Sequence, residues 1–165
     1  MNLRLLRWLA GLLLTLVLVT AGWVAAGPWY VTAQIRDGIV HGDEVLLARH
    51  VDFPALRADL KQQLHAMLAG RAAARQDERM AQVVAGIAAL LVDGMVERYV
   101  TPDGLAALSS GGEGRRPFAN ARHDWEAHDR HVLYVPAGND DEVGFVLARR
   151  GLHWQLVAIR LPVPA

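Results

Sequence analysis

Val51-Asp52-Phe53-Pro54-Ala55-Leu56-Arg57 sets an acidic residue, an aromatic ring and a proline at the head of a leucine-striped segment. An aspartate at this point can accept hydrogen bonds from the orphan N–H groups of a first helical turn, near Ala55. Pro54 falls in that turn, where its missing N–H costs nothing and its fixed φ suits a helix. Phe53, Leu56, Leu60, Leu64, Met67 and Leu68 then recur at steps of three and four, which marks one buried helix face. The heptapeptide is therefore read as a capped helix start and a corner of the core. A pocket-lining carboxylate–guanidinium pair between Asp52 and Arg57 is the functional alternative; a cap plus a surface or rim ion pair is preferred.

Upstream, Met1 to Arg7 carries Arg4 and Arg7, and from Trp8 to Ala26 the polar side chains are Thr15 and Thr20 alone. That run approaches the ~20 residues a bilayer requires and exceeds the roughly 7–15 of a cleavable signal core. Trp8 at one end and Trp23, Trp29 and Tyr30 at the other resemble aromatic belts, and the leading arginines keep the N-terminus cytoplasmic. An uncleaved anchor is favoured. Val24-Ala25-Ala26 before Gly27 leaves removal by a signal peptidase as the alternative, which would release a soluble exported protein. Residues 1–27 are thus an anchor or signal, and 28–165 a single domain. In it Pro28 opens a helix to about Val40, striped by Val31, Ile35 and Ile39. Gly42 ends that helix and Asp43 caps a short one through Val45, Leu46 and Leu47.

Downstream of the corner, the striped helix runs to about Ala69. Arg71, Arg75 and Arg79 repeat every four residues and read as a solvated face, with contact to anionic head groups the less favoured option. Met80 to Val100 is apolar apart from Gln82, Asp93, Glu97 and Arg98. Its uninterrupted run, Val83 to Val92, is short for a second span, so a central helix covered on nearly all sides is expected. Thr101-Pro102-Asp103-Gly104 starts a short helix through Leu105 and Leu108, and Ser109 to Pro117 is a loop. The period then changes. Arg122–Ala127, Arg130–Val135, Val143–Arg149 and His153–Leu161 read as strands, with turns at 136–141 and at Arg150-Gly151. The fold class is α+β: a helical half over 28–110 packed on one face of an antiparallel sheet of about four strands over 118–162. In the last strand Trp154, Leu156 and Ala158 point one way and Val157, Ile159 and Leu161 the other, so both of its faces need cover.

Bulk chemistry excludes more than it assigns. Of 165 residues 53% are hydrophobic and 21% charged, which fits one folded domain. A formal net charge of +0 leaves no electrostatic footprint for nucleic acid. Cysteine is absent, which removes disulfides, thiolate catalysis and thiolate zinc sites. No cofactor is expected: Gly111-Gly112-x-Gly114 lacks the lysine and preceding strand of a phosphate loop, and Ser109 and Ser110 have no placed base. His123 to His131 holds potential metal ligands; strand alternation puts His123, Asp129 and His131 on one side and Asp124, Glu126 and His128 on the other. Their spacing matches no metal motif, and a polar edge hairpin is preferred to a metal site.

The corner also carries a family resemblance. Together with Gly27-Pro28-Trp29-Tyr30, the break at Gly42-Asp43 and the Arg150-Gly151-Leu152-His153-Trp154-Gln155-Leu156 hairpin, it resembles the bacterial domain of unknown function 2939 family over roughly Gly27 to Pro162. The signature residues are Asp43, Val51, Asp52, Phe53, Pro54, Leu56 and Arg57. That resemblance implies no activity, cofactor or catalytic residue; at the level of fold alone it is similar to the cone-shaped domains of nuclear transport factor 2.

These readings lead to a membrane-held, periplasm-facing domain with a non-enzymatic binding or structural role in the bacterial envelope. Its partners are the bilayer, through residues near 8–26, and an envelope protein or a second copy. Trp125, Tyr134 and Trp154 are the candidate ligand-binding residues. The rival is a small enzyme of the same fold using a buried Asp or His, for which Asp43, Asp52 and Asp93 would have to approach one another.

Overall fold

The computed structural model describes residues 3–73, 78–107, 117–118, 120–138 and 141–162. Arg75, the side chain of Arg79, Leu108, the serine and glycine run over 109–114, and the turn residues 139–140 lie outside them. The described chain is α+β: α1 (Leu3–His41), α2 (Glu44–His50), α3 (Phe53–Ala73), α4 (Glu78–Tyr99) and α5 (Pro102–Ala107) precede β1 (Arg122–Ala127), β2 (Arg130–Gly138), β3 (Asp141–Arg150) and β4 (His153–Arg160). The strands form an open antiparallel meander in the order β1-β2-β3-β4.

Pro28 does not open a helix. It lies inside α1, which runs unbroken from the apolar lead into the domain. Proline lacks the N–H that would bond the carbonyl four residues back, which here is Val24. The Trp154 indole Nε1 donates to that carbonyl instead, at 3.2 Å. The backbone group that a proline orphans thus has a partner from the sheet, and the helix continues. Val31 and Ile35, one turn and two turns on, are buried in the core.

The caps fall where the sequence puts them. Gly42 has φ +64° and ends α1; Asp43 Oδ1 accepts from Leu46 N–H at 2.9 Å. Asp52 Oδ1 accepts from Ala55 N–H at 3.1 Å and starts α3. Val51, Phe53 and Leu56 are buried, Pro54 is exposed in the first turn, and Asp52 N–H donates to Leu156 O at 2.9 Å. The heptapeptide is a corner of the core, stitched to β4 by a parallel bridge between Val51 and Leu156.

Leu133, Leu147, Trp154 and Leu156 line the sheet face that meets Val31, Ile35, Leu47, Phe53 and Leu56. In β4 the alternation expected from the sequence breaks: Leu147 pairs with Leu156 but Val146 with Ala158, so Val157 is an extra residue. This bulge turns Ile159 toward the core beside Trp154 and Leu156. β2 and β3 also reach further than expected, with Pro136 paired to Glu142. Pro136 lies past the last β1 partner, Tyr134, so its missing N–H breaks no ladder. On the opposite face Val132 and Val146 are buried. Glu126 and Arg160, from the two outermost strands, pair above them, with Arg160 Nη2 donating to Glu126 Oε2 at 2.9 Å.

The free edge of β4 is occupied by side chains of α3. Gln63 Nε2 donates to Ile159 O at 2.7 Å and Gln63 Oε1 accepts from Leu161 N–H at 3.1 Å, while Asp59 Oδ2 accepts from Ile159 N–H at 3.3 Å.

The expectation for α4 is overturned. It packs on α3 and, at its C-terminal end, on α5, and is not a covered central helix. Ala81 and Val96 are buried on the α3 side, but Val83, Val84, Ile87, Leu90, Leu91 and Met95 are exposed. α3 runs well past Gln63, its last bonded partner to β4, and carries α4 with it beyond the sheet. Composition asks for cover, and the described chain provides it on one side.

Candidate functional site

The densest polar–aromatic constellation lies where α1 enters the domain. β1 offers His123 and Trp125, and β2 offers His131, on one face because Trp125 pairs with His131 across the ladder. α1 lays Trp29 over them: its ring stacks on His123 (centroids 5.5 Å, planes 9° apart) and tilts against His131 at 5.2 Å. Trp125 stands edge-on to His131 at 4.8 Å and to Trp154 at 5.5 Å. Gly27 makes room for Trp154. A Cβ there would sit 2.5 Å from the indole Nε1, so only glycine lets the ring reach Val24.

His123 Nδ1 and His131 Nε2 lie 3.0 Å apart, so one ring donates to the other. Two charged imidazoles at that distance would repel. His131 is 0% exposed, and burial, then the neighbouring His123, holds its pKa down to about 4, with Asp124 pulling weakly the other way. Burial lowers His123 as well. Among the described residues His131 Nδ1 has no hydrogen-bond partner. The cluster is an aromatic-walled imidazole pair; among the described residues no three metal-ligating side chains converge. Asp129 sits in the β1–β2 turn, which breaks the alternation that would have set it beside these histidines, and its carbonyl accepts from Arg149 N–H at 2.9 Å.

Below the cluster, a groove of about 670 Å³ separates α1, from Leu16 to Ala25, from Trp125, His128 and Arg149. The two hairpin turns of the sheet, at His128-Asp129 and Gly151-Leu152, lie at the sheet end that meets the apolar part of α1. Leu152 is exposed at the second of them.

The remaining candidates scatter. Trp125 and Trp154 meet, but Tyr134 lies on the other face of the sheet, beneath Arg122, whose Cζ is 4.3 Å from the ring centroid. Asp52 and Arg57 do not pair: Asp52 caps α3 and comes within 3.8 Å of Arg150. Arg57 and Lys61 instead hold Glu97 of α4 at 2.6 and 2.7 Å, and these bonds, that from Lys61 first, keep the Glu97 carboxyl below its ordinary range. Asp93 faces His65 at 3.1 Å. Asp43, Asp52 and Asp93 each serve a different contact and do not form an acid–base set.

Sequence reasoning missed three participants. In the sequence Trp29 reads as a membrane-belt residue, Gly27 as the head of a Gly-Pro-aromatic step and His131 as part of a polar edge hairpin. The spacing of His123 and His131 did place both on one side, and that was the usable signal.

Residues 17–108 match the family described as "Protein of unknown function (DUF2939)". The match takes in the second half of the apolar lead, the corner and the helices; the C-terminal hairpin lies beyond it. No curated protein and no solved structure matches the chain.

Proposed function

The chain belongs to the DUF2939 family of proteins of unknown function, and on that premise we propose that it is a membrane-anchored, periplasm-facing domain with a binding or structural role in the bacterial envelope. One observation carries the anchor: α1 is a single helix whose first half is apolar and exposed and whose second half is core. Residues 7–41 are long and apolar enough to cross a membrane, and an uncovered run of this kind is stable in hydrocarbon rather than in water. Retention of the lead is favoured by the same helix. Cleavage after Ala26 would remove the Val24 carbonyl and leave the Trp154 indole without its acceptor. The leading Arg4 and Arg7 support a cytoplasmic N-terminus.

The exposed apolar face of α4 supports a binding role, because soluble surfaces seldom leave so long a stripe uncovered. The enzymatic alternative would draw on His131, but Trp29, Trp125 and His123 wall that imidazole in, and a substrate has no approach to it.

The test is a C-terminal alkaline phosphatase fusion together with the intact mass of the membrane fraction. An active fusion on an unprocessed chain is expected. An inactive fusion, or a mature chain beginning at Gly27, overturns the reading.

A further inference from the structure

The groove beside α1 has two unlike walls. On the helix side Leu16, Val17 and Ala21 face it; on the sheet side are Trp125, His128 and Arg149. The hydroxyl on the helix side, Thr20 Oγ1, donates to Leu16 O at 2.8 Å, so this wall presents hydrocarbon. Trp125 is 41% exposed and completes the apolar surface. Arg149 spends its main-chain N–H on Asp129, while its guanidinium has no ion pair among the described residues. Arg150 next to it leans toward Asp52. A cation therefore stands at the rim of an apolar trough, with its main chain bonded to Asp129 of the β1–β2 turn.

The helix wall of this trough belongs to the run that the anchor reading immerses in lipid. The sheet descends alongside it: Leu16 precedes Ala26 by ten residues, or roughly 15 Å of helix. Hydrocarbon from the bilayer, rather than water, borders the lower end of the groove. Its volume falls within the ~300–1,000 Å³ of small-molecule sites, and long basic side chains at such a depth reach for phosphate. We propose that the groove holds one phospholipid of the leaflet beneath the domain, an acyl chain lying along Leu16 to Val24 and a net-anionic headgroup against Arg149 and His128. The proposal rests on the anchor reading above. It adds that the sheet end dips below the level of Ala26 and that the domain distinguishes among lipids.

The experiment uses the full chain reconstituted in phosphatidylcholine vesicles, with or without phosphatidylglycerol, one of the two lipids carrying brominated acyl chains. The emission lost in Trp125→Phe defines the Trp125 component. Brominated phosphatidylglycerol should quench that component with an apparent affinity about fivefold tighter than brominated phosphatidylcholine, the contribution of one basic side chain near an anionic surface. Arg149→Gln should erase the preference. Ala21→Phe, which fills the trough, should abolish quenching by both lipids while the protein still floats with the vesicles. Equal quenching by both headgroups in the parent chain, or a preference that survives Arg149→Gln, overturns the proposal. A chain that floats with Trp125 unquenched overturns the lipid site alone; a chain that does not float overturns the anchor and the site together.

Discussion

The Trp154 indole donates to the carbonyl of Val24, the acceptor that Pro28 leaves without its helical N–H. Two local rules, proline as helix breaker and buried tryptophan as a donor in need of a partner, thus cancel each other across 130 residues of chain. The apolar lead helix and the sheet are joined by this pair.

A double-mutant cycle measures it. Trp154→Phe keeps the ring but orphans the carbonyl and should cost about 1–2 kcal/mol. Pro28→Ala restores an N–H to Val24, so in that background the same change should cost about 1 kcal/mol less. Urea unfolding of the full chain in detergent gives both numbers, and additivity of the two changes would sink the account.

Gly27→Ala should be destabilising by about 1–3 kcal/mol, because the new methyl meets the Trp154 ring. Helix propensity alone predicts the opposite sign, a gain of roughly 1 kcal/mol. Gly22→Ala, where nothing lies near the added carbon, should follow propensity. Thermal unfolding of the two variants compares the signs directly.

Acid should loosen the junction. The folded pKa of His131 is depressed, to about 4 from an ordinary 6.5, so the unfolded chain takes up a proton that the folded chain refuses. Its stabilising contribution is fully present above pH 6.5 and is lost as pH falls toward 4, by up to roughly 3 kcal/mol. Stability against pH should flatten over this window in His131→Gln, and Trp29 fluorescence should report the same transition. An unchanged slope in the variant would assign the acid sensitivity elsewhere.

Asp52→Asn should be nearly silent and Asp52→Ala should cost about 1 kcal/mol, as expected of a cap. A larger loss in the asparagine variant would mean that the charge, through Arg150, matters more than the hydrogen bond.

Ile87→Glu and Leu90→Glu in α4 should each change stability by less than about 0.5 kcal/mol, since both side chains stand clear of the core. Leu56→Ala, in the packed corner, should cost about 2–5 kcal/mol by the same measurement. A charge at Ile87 as damaging as the truncation of Leu56 would place α4 inside the fold.

The parts of this structure legible in the sequence are those fixed within a few residues. Asp43 and Asp52 bond amides three positions on, and Gly42 supplies its own left-handed turn, so both helix starts and the corner could be read directly. Strand existence was legible for the same reason, through alternation and turns. What failed depended on partners far along the chain. Pro28 was read as a start because its substitute donor lies in the last strand. The facing of Ile159 was misjudged because pairing with β3, not the residues of β4, creates the bulge at Val157. For α4, apolar composition revealed a demand for cover but not whether the chain meets it. Within the candidate site, Trp125 and Trp154 meet edge to face, while Tyr134 falls on the far face, one residue out of phase with Leu133.

The amide of Gln63 does for β4 what a neighbouring strand would do, offering Ile159 an N–H and Leu161 an oxygen. A sheet finished on that side has β1 as its remaining flank among the described strands. Copies that met flank to flank would satisfy each other and stop at two. Asp59 adds a carboxylate on the Ile159 N–H at the closed edge, so charge and amide together keep the last strand from extending the sheet.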